Sequence, residues 1–430
     1  MMFYKETNFK ETAIGKIPKD WEVTKLEDIA HIYSGNTAPQ DKKYFEQGNY
    51  PFIRVQHLQD LEEGKYPQIF DLINDLAISE LKLRKFKKGS IIFPKSGESI
   101  RLEKRAILRE DSYLVNHLAV IEPIDTNIID NLFLFYYLLT IKTSNYLTKT
   151  TMPSLNLSII QKFLILLPPL IEQQKIAEIL STVDEAIQKT NEIIAKTERL
   201  KKGLMQELLT KGIGHKEFKD TEIGRIPKDW EVINLENGSL IIRTGPFGSQ
   251  LRKSELSERG AKVYTQENIL KNNFSLGNLY ISYDKFEKLK IMEVKPGDVL
   301  LTIRGSTGYS AVFPERAERG IIHTNLAYIR LKRSLLLPEY LSLLINGYSP
   351  VRFQIKTLSS ATTLGALYAK HIKKIKIPLP PLQEQQKIVK ILLNNIKKLE
   401  LERNEKVKLE RIKQGLMDLL LTGKIRVKVT

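Results

Sequence analysis

The sequence predicts a mixed α/β protein built twice: two globular α/β domains separated by two long helices that pair as an antiparallel coiled coil, with an internal pseudo-twofold repeat. Three repeated blocks carry this reading. Leu167-Pro-Pro-Leu-Ile-Glu-Gln-Gln-Lys-Ile-Ala-Glu-Ile-Leu180 returns as Leu379-Pro-Pro-Leu-Gln-Glu-Gln-Gln-Lys-Ile-Val-Lys-Ile-Leu392, an offset of 379 − 167 = 212 residues. Gly203-Leu-Met-Gln-Glu-Leu-Leu-Thr210 returns at the same offset as Gly415-Leu-Met-Asp-Leu-Leu-Leu-Thr422. The stretch from Phe9 to Val23 returns from Phe218 to Val232, an offset of 218 − 9 = 209. The expected order is a globule at 1–166, a helical region at 167–215, a second globule at 216–378 and a second helical region at 379–430.

Taken in order, Pro18 and Asp20 make a turn that presents Trp21 to a core, and Pro227 and Asp229 do the same for Trp230. These are the only two tryptophans in the chain, and their equivalent places mark them as packing anchors. In the first globule Pro51–Val55, Ser90–Phe93 and Leu118–Ile121 are β-rich runs bounded by turn residues. Asn131–Thr140 is apolar almost all round and reads as a buried helix. Phe163–Leu167 closes the globule as a strand. The second globule repeats the plan loosely, with Val263–Ile269, Lys295–Leu301, Thr324–Tyr328 and Ile372–Ile377 in matching places and Gly245-Pro-Phe-Gly248 as a mobile loop. The small changes in offset fall in loops, where insertions are tolerated.

The long segments are helical by period. Ile176, Leu180, Val183 and Ile187 step by four, three and four, and Ile388, Leu392, Asn395 and Leu399 hold the same register, which is the spacing of a coiled-coil seam. Prolines 168/169 and 380/381 suit the entrances, because proline is tolerated at the start of a helix and not inside one. At about 1.5 Å per residue, a helix of about 38 residues spans roughly 55 Å. That exceeds what a small globule needs for its own core.

Composition narrows the chemistry. The chain has no cysteine, which removes disulfides, thiolate metal sites and a cysteine nucleophile. Its six histidines are scattered without metal spacing, so no metal site is expected. Arg304-Gly-Ser-Thr-Gly308 lacks the Lys-Ser/Thr ending of a phosphate loop, and no catalytic constellation emerges. The polar N-terminus and the lack of an apolar run of spanning length point to the cytoplasm. The formal charge is +17, and its distribution is uneven: residues 236–377 hold 22 Lys/Arg against 11 Asp/Glu, whereas residues 27–166 hold 17 of each. Such an excess suits phosphate backbones, and equally the lysine richness of a chain adapted for solubility or heat. Clustered cations and amides near strand ends are the candidate DNA contacts. In the first globule these are Arg54, Gln56, Lys82, Arg84, Lys95, Arg101, Lys104 and Arg105; in the second, Arg243, Arg252, Lys253, Gln266, Asn268, Arg304 and Arg316. Arginine suits guanine and phosphate, while Gln and Asn suit adenine.

Over essentially its whole length the chain resembles the specificity subunits of Type I restriction-modification systems. The resemblance is carried by Ile17-Pro-Lys-Asp-Trp21 and Ile226-Pro-Lys-Asp-Trp230, the two Leu-Pro-Pro-Leu…Glu-Gln-Gln-Lys-Ile blocks and the two Gly-Leu-Met…Leu-Leu-Thr blocks. It implies a non-catalytic, sequence-specific DNA-binding subunit whose globules are target recognition domains, each reading one half of a bipartite asymmetric site. The helices would set the unread spacer and dock two methyltransferase subunits, with motor-nuclease subunits joining. S-adenosylmethionine, ATP and Mg²⁺ would be bound by those partners and none by this chain. A free-standing DNA-modifying enzyme with an unfamiliar site is the alternative, and a scaffold binding only proteins is a third class.

Overall fold

The computed structural model describes residues 3–62, 71–147, 153–247, 250–360 and 365–428. It divides into two units, one made of residues 1–193 and 402–430 and the other of residues 194–401.

In the first unit an antiparallel sheet runs Ala30–Ser34, Leu118–Pro123, Ile91–Pro94 and Ala106–Ile107. Beside it Tyr50–Ile53 pairs in parallel with Tyr113–Leu114 and antiparallel with Asp71–Ile73. Strands 91–94 and 118–121 are buried on both faces, which explains why they read as continuous apolar runs and not as alternating ones. The apolar helix Asn131–Thr140 buries Phe133, Leu134, Tyr136, Tyr137 and Leu138, and Asp130 caps its start by accepting from the Phe133 amide. The second unit repeats this plan: Ser239–Thr244, Leu326–Leu331, Val299–Thr302 and Ser310–Val312 form the antiparallel sheet, and Ala261–Tyr264 pairs in parallel with Gly320–Ile322. Its helix Ser349–Ser360 buries Val351 and Ile355, and in the matching place the first unit has a short 3-10 turn at Thr143–Tyr146. Each unit is therefore mixed α/β, as expected.

The two long helices are Leu170–Lys211 and Leu382–Leu420, of 42 and 39 residues. Ile176, Leu180, Ile388 and Leu392 are wholly buried, Leu399 and Asn395 nearly so, and Val183 and Ile187 half-buried. In the first unit the start of the first helix and the end of the second share one core, through Ile176, Leu180, Met417 and Leu420. The second unit reverses the roles, with Leu208 and Leu209 packed into the core that holds Ile388 and Leu392. Within each unit the two helices are thus packed together, start against end.

The repeated Glu-Gln pair has a physical reason in both units. Glu172 accepts from Trp21 Nε1 at 3.1 Å, and Glu384 accepts from Trp230 Nε1 at 3.0 Å. Gln173 accepts from the Asp130 amide at 2.8 Å and donates to the carbonyls of Ile128 and Pro168. Gln385 accepts from the Leu337 amide at 3.0 Å and donates to the carbonyls of Leu335 and Pro380. Two adjacent side chains therefore fix the helix entrance to the tryptophan and to the loop before the buried helix. The tail of each long helix closes the same anchor: Gly212 and Gly423 take left-handed φ of +66° and +68°, and a Cβ there would strike Trp230 and Glu384 or Pro18.

Glu103 gives the first unit a measurable acid sensitivity. Its carboxylate accepts from the Ser144 amide at 2.8 Å, the Thr143 amide at 3.0 Å and the Thr143 hydroxyl at 2.7 Å. Burial pushes this carboxyl up, but those donors outweigh it and hold it at about 2. Because the folded value lies below the unfolded one, the stabilisation is complete above about pH 4.5 and is lost as pH falls towards 2. The full value is about 2 kcal/mol after allowing for partial exposure. Chemical denaturation between pH 6 and 2.5 should therefore show a steeper loss for the wild type than for Glu103→Gln, and parallel curves would contradict this assignment.

Candidate nucleic-acid interface

Four loop ends converge at one edge of each unit, and the backbone frame that joins them is the same in both. In the first unit the Gly35 amide donates to Leu118 O (3.1 Å), the Lys95 amide to His117 O (2.8 Å) and the Leu155 amide to Lys95 O (2.8 Å). In the second the Gly245 amide donates to Leu326 O (2.8 Å), the Ile303 amide to Asn325 O (2.9 Å) and the Leu367 amide to Ile303 O (2.9 Å). Both glycines are required by close approach, since a Cβ would meet Val115 O or His323 O. The turn after the neighbouring strand is capped alike, by His57 Nδ1 on the Arg54 amide (3.0 Å) and by Asn268 Oδ1 on the Thr265 amide (2.8 Å).

The side chains standing on this common frame differ. Lys95, Ser96, His117 and Asn156 in the first unit correspond to Ile303, Arg304, Asn325 and Tyr368 in the second, by the bonds above. Ser96 Oγ lies 2.5 Å from His117 Nδ1. Beside this hub, Arg84 is clamped to Asn36 by two bonds, its amide donating to Asn36 Oδ1 (2.7 Å) and its carbonyl accepting from Asn36 Nδ2 (2.8 Å). Its guanidinium lies 3.4 Å above the Tyr33 ring. In the second unit the Arg304 guanidinium lies 5.1 Å from the Phe247 ring, which stacks on Tyr368 with centroids 6.4 Å apart. Gly248 of the same loop lies outside the described residues.

The remaining candidates sort by what holds them. Lys82, Arg252, Lys253 and Arg316 are exposed, while Lys95 is half-buried and its ammonium is pushed down by burial. Arg54 pairs with Asp71, Arg101 Nε with Glu98 at 2.9 Å, Lys104 with Gln59 at 3.0 Å and Arg243 with Ile291 O at 2.7 Å. Gln56 Nε2 lies 3.4 Å from His57 Nε2, and Gln266 donates to Arg304 O. Two candidates are buried. Arg105 is 2% exposed and spends its guanidinium on Glu103 and on Ile141 O. Asn268 is equally buried, and its amide donates to Asn273 O and Leu276 O. Arg105 Nε is left without a partner, but side chains this deeply buried do not reach a base edge. Phe247 lies in the Gly245–Gly248 loop singled out in the sequence, whereas Tyr33 and Tyr368 belong to no motif there.

Among the described residues no group of three or more His, Asp or Glu side chains could hold a metal ion. Burial pushes the imidazoles of His57, His323 and His371 down, so they are neutral near pH 7. No helix among the described residues is long and apolar enough to cross a membrane.

Each of the two α/β units packs the start of one long helix against the end of the other and presents an arginine-bearing loop hub. The sequence profile of the Type I restriction modification DNA specificity domain matches residues 18–199 and again 227–411. The chain belongs to that family and is a non-catalytic DNA specificity subunit of a Type I restriction-modification system. It is 31% identical over 443 residues to the Type I restriction enzyme MjaVIII specificity subunit of Methanocaldococcus jannaschii, covering 100% of this chain and 98% of that one. Its fold is similar to a crystal structure of the Type I S subunit from M. genitalium, with a TM-score of 0.60 at 14% identity, covering 95% and 97% of the two chains. A chain from a structure of Type I system assembly and conformational transition gives a TM-score of 0.53 at 18% identity, covering 95% and 99%.

Proposed function

We propose that residues 1–166 and 216–378 are target recognition domains that each read one half of a bipartite, non-palindromic duplex site. One observation supports this above the others: the same hydrogen-bonded loop frame carries different side chains in the two units. Parts kept alike suit two identical partners related by a pseudo-twofold. Parts allowed to differ suit two different half-sites. In this reading the paired helices set the unread spacer and dock two methyltransferase subunits, which bind S-adenosylmethionine and methylate adenine; motor-nuclease subunits using ATP and Mg²⁺ join that complex.

The test is DNA binding by the chain copurified with its methyltransferase subunits. Phosphate neutralisation by several free cations predicts a steep linear fall of log affinity with log salt concentration. It also predicts methyl transfer by the complex and none by this chain alone. Salt-insensitive binding, or methylation without partners, would count against the proposal.

A further inference from the structure

We infer that Arg84 and Arg304 are base-reading residues, each taking the major-groove edge of a guanine, one in each half-site. This rests on the DNA-reading function proposed above and names the groups that perform it.

Many arginines of the two units are already committed. Arg54 pairs with Asp71, Arg101 with Glu98, Arg243 with a carbonyl, Arg319 with Glu293 at 2.6 Å and Arg330 with Asp298 at 2.6 Å. Arg84 and Arg304 differ from these in being uncommitted, and they combine that freedom with an aromatic platform, which Arg54, Arg319 and Arg330 also have, and with a backbone tie to the hub. Among the described residues neither guanidinium has a hydrogen-bond or ion-pair partner, and Arg304 Nε is shielded from solvent without an acceptor. Each guanidinium lies over an aromatic ring: Tyr33 at 3.4 Å for Arg84, with Phe86 at 5.6 Å, and Phe247 at 5.1 Å for Arg304. Each is also tied at its backbone to the hub, Arg84 through Asn36 and Arg304 through Gln266.

A stacked guanidinium keeps its planar fork in one orientation, so little side-chain freedom is lost when it binds. Two parallel N–H groups match O6 and N7 of guanine. Adenine offers N7 beside an amino group, which sets donor against donor. A free lysine would supply charge without this discrimination. The two arginines do not occupy equivalent places in the repeat. Arg304 follows strand Val299–Thr302, where the first unit has Ser96, while Arg84 lies after helix Asp75–Glu80. The guanines should accordingly fall at different positions within the two half-sites.

Selection from randomised duplexes tests this, with the full chain bound to its methyltransferase subunits as wild type, Arg84→Gln and Arg304→Gln. Each variant should lose roughly ten- to hundredfold of its preference for guanine at one position, in opposite halves of the motif. The untouched half serves as the folding control. Unchanged motifs, equal loss in both halves, or an equal loss of affinity for all duplexes would overturn the inference. If a Gln variant returns no motif, Arg84→Lys and Arg304→Lys keep the charge and lose the fork; undiminished guanine preference in these would overturn it too. A wild type that returns no bipartite motif defeats the proposed function itself, whereas a bipartite motif unmoved by the variants defeats only this inference.

Discussion

Replacing Glu172 with alanine is expected to destabilise the first unit by about 3–5 kcal/mol, the usual cost of breaking a buried ion pair from one side. Glu172 is 2% exposed and accepts from Trp21 Nε1 and from Arg426, whose Nε and Nη2 lie 2.7 and 2.6 Å away. Arg426 also bonds Glu6 at 2.8 Å and Asp20 at 2.8 and 2.9 Å. Burial disfavours its charge, but the three carboxylates outweigh that and raise its pKa. Without Glu172 the guanidinium keeps its burial and loses its most buried partner. The second unit uses a lighter version of this anchor, in which Glu384 holds Trp230, the Ile213 amide at 2.8 Å and His215 Nε2 at 2.9 Å. Glu384→Ala should therefore cost about 1–3 kcal/mol. Hydrogen exchange resolved by segment reads both, with faster exchange confined to residues 1–193 and 402–430 for Glu172→Ala. A costlier Glu384→Ala would show that the charge network is not what sets the difference.

Inserting one heptad after Ile193 and another after Leu401 should move methylation to a site with the same two half-sites and a longer spacer. Seven residues keep the seam in register, because the buried positions recur every 3.5 residues, and lengthen each helix by about 10 Å. An insertion in one helix alone leaves the partner short and should abolish sequence-specific methylation. A changed half-site with an unchanged spacer would refute the helices as a ruler.

Much of the fold was legible because it rests on local signals read twice. The burial of Ile176, Leu180, Ile388 and Leu392 follows from period, though each pair packs into the core of its own unit, and the apolar runs at 91–94 and 118–121 are strands that lack alternation because both faces are covered. What escaped the sequence is long-range closure. Phe3–Lys5 pairs with Ile425–Val427 at the far end of the chain, and Arg426 joins Glu6, Asp20 and Glu172 across up to 420 residues of sequence. No spacing rule reports such a contact. The repeat itself concealed it, because the corresponding tail in the second unit runs on through Gly212 and His215 into Phe218–Thr221 without a break. The candidate site was legible in type and not in residue. Arg84 and Arg304 could be nominated by charge and position, but so could Arg105 and Asn268, and only packing separates a free donor from one spent inside the fold.

The most direct test of the central claim is to map adenine methylation across the source genome with this gene present and deleted. Two units that share a frame and differ in the side chains on it predict a gene-dependent motif with two unlike half-sites around a fixed unread spacer. A palindromic motif, or a methylation pattern unchanged by the deletion, would contradict it.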